Sequence, residues 1–111
     1  MTLGERNAII IALFNKANNV ADTKGKAYSH EDDALIQFKE IAIRLEVSKY
    51  QVWSVFFDKH ITSIMNAIRK DPFNPVENTE SMEGRLIDIC VYSGILQAML
   101  KEDELNKKLK A

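Results

Sequence analysis

Lys49-Tyr50-Gln51-Val52-Trp53-Ser54-Val55-Phe56-Phe57-Asp58-Lys59-His60-Ile61-Thr62-Ser63-Ile64-Met65-Asn66-Ala67-Ile68-Arg69 is the stretch that decides the fold. Its apolar residues recur at helical spacing, not in alternation, and they wrap much of the circumference. Both ends are marked. Ser48 and Gln51 match a capping box, in which a serine and a residue three positions on satisfy each other's backbone N–H groups. Asp71-Pro72-Phe73-Asn74-Pro75 stops the helix, because proline has no N–H to continue the ladder. The stretch therefore predicts a helix from Lys49 to about Arg69.

Outward from it, the chain reads as three more helices. A fourth helix starts near Asn78–Ser81 and reaches at least Leu100, carrying Met82, Leu86, Ile87, Ile89, Cys90, Val91, Tyr92, Ile95, Leu96, Met99 and Leu100. The charged tail from Lys101 to Ala111 is expected to fray. Upstream, Leu35, Phe38, Ile41, Ala42 and Leu45 give a second helix from His30 or Glu31 to Leu45, with Ser29 as cap and Glu31, Asp32 and Asp33 in the first turn. The first helix runs from Leu3 to about Asn19 on Ile9, Ile10, Leu13 and Phe14. Asn18-Asn19 is read as its stop and Ala21 to Ser29 as a polar loop. No strand pattern of useful length and no internal repeat interrupt this, so the 111 residues predict one all-α, compact four-helix domain.

A helix that is apolar on most sides must be covered on most sides. Two short helices cannot enclose both the third and the fourth. The sequence therefore predicts that these two form an oligomer interface, with a two-fold homodimer as the first expectation.

Composition narrows the function. Lys and Arg total 15 against 16 Asp and Glu, which argues against direct DNA binding and against an acidic DNA mimic. The single cysteine, Cys90, excludes an internal disulfide and a cysteine-based zinc site, and reads as buried apolar filler in a reducing, cytoplasmic setting. The apolar run ending at Phe14 is too short to span a membrane.

Chemistry concentrates at a few places. Asp88 lies in Leu86-Ile87-Asp88-Ile89-Cys90-Val91, the most apolar run, where a carboxylate needs a partner. Arg85 and Tyr92 share its helical face, and Glu83 sits at the edge of that face. Two readings stand: an ion pair that fixes helix packing, or a ligand or metal contact. Asp58-Lys59-His60 sets charges abruptly between apolar turns. Lys59 can pair with Asp88 across a helix contact or offer an ammonium to phosphate, and His60 is either a hydrogen-bonded core residue or a ligand group. Around Tyr28-Ser29-His30-Glu31-Asp32-Asp33, the acids either compensate a helix dipole or hold a hard divalent ion. Glu31, Asp32, Glu83 and Asp88 are thus the metal candidates. Tyr28, Trp53, Phe73 and Tyr92 can stack on a base or fill a core. No catalytic triad, glycine-rich phosphate loop or paired-histidine metal spacing is present.

Three segments carry a resemblance: Tyr28-Ser29-His30 with Ala34-Leu35-Ile36-Gln37-Phe38; Asp58-Lys59-His60-Ile61-Thr62-Ser63-Ile64; and Glu80-Ser81-Met82-Glu83-Gly84-Arg85-Leu86-Ile87-Asp88-Ile89-Cys90-Val91-Tyr92. Together, over about Ala27 to Leu100, they resemble the phage-rich nucleotide modification associated domains. Tyr28, Phe38, Lys59, Asp88 and Tyr92 match that pattern. Gln37 replaces its asparagine, Ser29 its glycine and Ser63 its arginine. The resemblance implies a phage or prophage setting and a nucleotide ligand. More distantly the chain is similar to the all-helical MazG-like nucleotide pyrophosphatases, which hold magnesium on paired carboxylate helices. Here Glu80 and Glu83 have the spacing, but Arg85 stands where a second pair needs an acid.

The expectation is therefore a nucleotide-binding protein without catalytic residues or turnover, with Tyr28, Lys59, His60, Arg85, Asp88 and Tyr92 as ligand-binding residues. It would sequester a nucleotide or host immune signal, or assist DNA-base modification. The alternatives are a magnesium-dependent nucleotide pyrophosphohydrolase and a helical adaptor or inhibitor of a host protein.

Overall fold

A computed structural model of the chain describes residues 1–28, 32–77 and 80–110. They form four helices: α1 (Leu3–Tyr28), α2 (Ile36–Leu45), α3 (Lys49–Lys70) and α4 (Met82–Lys110). Among the described residues there is no strand.

Local chemistry explains most of the boundaries. At the start of α3, the Gln51 N–H donates to Ser48 Oγ at 3.1 Å and the Ser48 N–H to Gln51 Oε1 at 2.8 Å, which is the expected capping box. Asp71, Pro72 and Pro75 follow its last turn as the sequence predicts. At the end of α2, Glu46 adopts a left-handed conformation with φ of 56°. The Glu46 N–H reaches Ile43 O and the Val47 N–H reaches Ala42 O, the paired bonds that close a helix before a sharp turn.

Three boundaries differ from the sequence reading. α1 does not stop at Asn18-Asn19 but continues to Tyr28, through the segment read as a loop. Asparagine and glycine cost only a fraction of a kcal/mol to about 1 kcal/mol each in a helix, which packing can outweigh. Here Ala17 is buried, Lys24 pairs with Asp88 of α4, and Lys26 pairs with Asp22 one turn back. α2 begins at Ile36 rather than His30 or Glu31, so no acid occupies its first turn. Asp33 instead precedes the helix, accepting from the Leu35 N–H at 3.0 Å and from Lys39 Nζ at 2.8 Å. The expected cap Ser29, with His30 and Glu31, lies outside the described residues. The charged tail is helical through Lys110, its first turn tied down where Asp103 meets Lys49 and Tyr50 of α3.

α4 is the central element, packed on both α1 and α3, while α2 packs on α3. Side-chain pairs give the directions. Lys16 meets Glu83 and Lys24 meets Asp88, so α1 and α4 run parallel. Tyr50 meets Asp103 and His60 meets Asp88, so α3 and α4 run antiparallel. The core gathers Leu35, Phe38, Ala42, Val52 and the fully buried Met99. Phe38 meets Phe56 and Tyr92 edge-on, with ring centroids 6.0 and 6.4 Å apart. Trp53 stacks on Phe57 and donates its indole N–H to Tyr92 O at 2.7 Å.

Apolar surface remains uncovered, as expected, but not only on the third and fourth helices. Val55, Met65 and Ile68 on α3 and Leu86 and Leu100 on α4 are exposed. The longest uncovered share belongs to α1, where Leu3, Ile9, Ile10, Ile11 and Phe14 all face solvent. Among the described residues no helix is long and apolar enough to cross a membrane.

Candidate functional site

The residues singled out on α3 and α4 converge. On α4, Arg85 and Asp88 are three residues apart and Tyr92 follows one turn later, so all three face α3. On α3, adjacent side chains point about 100° apart, so His60 turns inward while Lys59 turns to solvent. Among the described residues, His60, Arg85 and Asp88 are the buried polar groups, and they meet between the two helices.

Their geometry fixes a tautomer. Arg85 Nη1 lies 3.1 Å from His60 Nδ1. A guanidinium only donates, so Nδ1 accepts and the imidazole carries its proton on Nε2. Asp88 Oδ2, 3.6 Å from the same nitrogen, makes no hydrogen bond to it in this state. Burial lowers the His60 pKa, and the Arg85 and Lys59 charges lower it further, against the pull of Asp88 and Glu80. The tilted Tyr92 ring, with its centroid 5.4 Å away, closes one side of the imidazole, and burial raises the Tyr92 pKa.

Arg85 is held from the far side. Its Nε donates to Glu77 Oε2 at 2.8 Å, and Nη1 lies 3.5 Å from Glu80 Oε2. Glu77 and Glu80, which precede α4, are thereby tied to the α3–α4 seam. Asp88 takes its cation from α1: Lys24 Nζ lies 3.3 Å from Asp88 Oδ1. The pairing of Lys59 with Asp88 weighed from sequence does not occur. Lys24 replaces it because α1 extends far enough to reach α4.

Beside this network lies an open groove of about 850 Å³ between α1, α4 and the start of α2. Small residues leave its space unfilled: Ala17, Ala21 and Gly25 on α1 and Gly94 and Ala98 on α4 are among its lining. Lys24 and Asp88 are set into its wall, Tyr28 stands exposed at its edge, and Tyr92 lines it deeper. Cys90, expected as buried filler, is half-buried in the groove wall. Of the ligand residues expected, Tyr28, Asp88 and Tyr92 thus line the groove. His60 and Arg85 support it from behind, and Lys59 lies outside it.

The metal candidates among the described residues do not assemble. Glu83 turns to Lys16 at 2.6 Å, Glu80 turns to Arg85, Asp32 is exposed, and Glu31 lies outside the described residues. Among the described residues no three His, Cys, Asp or Glu side chains form a group able to hold a metal ion. Phe73 is almost wholly exposed, and Trp53 is engaged with Phe57.

Lys24 and Glu77 are the participants that sequence reasoning missed. Lys24 carries a legible signal: Ala17, Ala21, Lys24 and Tyr28 fall on one stripe once the helix is continued. Glu77 has no comparable signal, because it reaches Arg85 from a non-helical segment.

The groove thus offers a carboxylate acceptor, an adjacent ammonium, an aromatic face and apolar walls. That set suits a ligand with a flat donor-bearing ring and an anionic group. No family model, curated protein or solved structure matches the chain.

Proposed function

We propose that the chain is a nucleotide-binding protein that holds its ligand without turnover. The observation that carries this reading is the groove with the Lys24–Asp88 pair in its wall and Tyr28 exposed at its edge. Tyr28 stacks on the base, Asp88 accepts from a base amino or imino group, and Lys24 meets phosphate. Hydrolysis of a phosphoanhydride needs gathered carboxylates. Glu80 and Glu83 diverge toward Arg85 and Lys16, which favours binding over the pyrophosphohydrolase alternative.

The resemblance of Ala27 to Leu100 to nucleotide modification associated domains supports the same ligand class. It suggests a phage protein acting in the host cytoplasm, sequestering a nucleotide or immune signal or assisting base modification. The uncovered apolar surface supports action as a homo-oligomer.

Native mass spectrometry of protein purified from cells tests the reading, followed by calorimetry with a panel of mono-, di- and cyclic nucleotides. A nucleotide-sized mass excess is expected in the wild type. It is lost in Ala21→Phe, which fills the groove without touching the core. Absence of both retained mass and calorimetric binding would refute the proposal.

A further inference from the structure

Every residue from Met1 to Ala12 is exposed, although all but the first two are helical. The direction of packing explains why. Lys16 already meets Glu83, next to the first residue of α4, and the two helices run parallel. The turns of α1 before Lys16 therefore project past the end of α4 as an arm. That arm carries Leu3, Ile9, Ile10, Ile11, Leu13 and Phe14, and its only charged side chains are Glu5 and Arg6. A lone helix of this length is marginal in water, and three consecutive β-branched residues weaken it further.

The dimensions of the chain say how much is uncovered. A monomer of 12.7 kDa should expose about 6,200 Å², whereas this chain exposes 8272 Å². Its radius of gyration is 16.6 Å, where about 13 Å is ordinary for this length. The surplus of about 2,000 Å² per chain exceeds the roughly 800 Å² that each partner gives to a stable interface, and falls in the range of obligate homodimers.

We infer that the chain is a dimer in which the α1 arm, Leu3–Phe14, of each copy packs against a second copy of the same chain. The low charge and apolar character of the arm fit the core of such an interface. Phe14 belongs to both features, since it ends the arm and lines the groove. The partner therefore closes the open end of the groove, and the groove of one copy is complete only in the dimer. The contact sits on α1 and not on the faces of α3 and α4 that the sequence favours. It is independent of what ligand the groove takes.

Light scattering on the full chain, with a hydrogen-exchange readout, tests this. The wild type should have the mass of two chains. Ile10→Glu with Ile11→Glu should reduce it to one chain with unchanged helical circular dichroism, because both side chains are exposed within a single copy. Val55→Glu, on the exposed face of α3, should leave it at two. In the wild type, the amides of the arm should exchange slowly at high protein concentration and quickly on dilution. A wild type with the mass of one chain overturns the inference. So does an arm variant that remains two chains, or fast exchange of the arm at high concentration.

Discussion

His60 Nδ1 stands between two competing neighbours: Arg85 Nη1 donates to it at 3.1 Å, while Asp88 Oδ2 waits at 3.6 Å. The neutral imidazole serves Arg85. A protonated one would turn its new N–H toward Asp88 and set its charge against Arg85. Burial and the arginine together favour the neutral ring, so the folded pKa lies below the ordinary histidine value of 6.5. The unfolded chain then binds the extra proton first, and stability falls as pH drops from 6.5 toward the folded pKa. His60→Gln keeps an acceptor for Arg85 and removes the titration. Thermal melts across this window should show a smaller acid-induced loss in the variant than in the wild type. Equal losses would mean that His60 does not titrate there.

Arg85 faces Glu77 across a nearly dry contact, with side chains 7 % and 10 % exposed. Removing one member of a buried pair costs about 3–5 kcal/mol, because the other charge stays buried. Arg85→Met should destabilise the protein by about 3 kcal/mol at neutral pH. Urea melts of both proteins check this, and an unchanged unfolding midpoint would contradict it.

Among the described residues, Met99 is the one fully buried large side chain. Met99→Ala leaves a cavity among Phe38, Val52 and their neighbours, and should cost about 2–5 kcal/mol in chemical denaturation.

Glu46 holds a left-handed conformation that favours glycine. Its backbone N–H bonds survive substitution, so Glu46→Gly relieves strain without removing a contact. It should raise stability by up to about 1 kcal/mol. A lowered melting temperature would show that the corner between α2 and α3 is not strained.

Tyr50 donates to Asp103, and this bond, with burial, pushes its pKa up to about 12. The folded phenol keeps its proton where the unfolded one has lost it. Stability should therefore decline as pH rises above 10. Tyr50→Phe should abolish that decline and speed hydrogen exchange in the last turns of α4.

These residues also show what could be read in advance. α3 was legible end to end, because Ser48, Gln51 and Pro72 act within a turn of the boundary they set. Arg85, Asp88 and Tyr92 were legible as a face because their spacing is intrinsic to a helix. The continuation of α1 was not. Asn18, Asn19 and Gly25 argue locally for a break, and the contacts that override them come from α4, more than sixty residues away. Lys24 was missed for that reason alone, and Lys59 was given its place. The start of α2 misled in another way. Asp33 supplies a capping-like bond from outside the helix, a role that composition cannot separate from an acidic first turn.

The chain has a single tryptophan, and its position gives it an optical use. Trp53 bonds Tyr92 O across the α3–α4 seam, directly beside the groove that Tyr92 lines. Its ring stacks on Phe57, 4.7 Å away. Separation of the two helices would free the indole to water, and a guest against Tyr92 would alter its surroundings with the helices still closed. Native fluorescence can therefore distinguish unfolding from occupancy in one label-free emission spectrum.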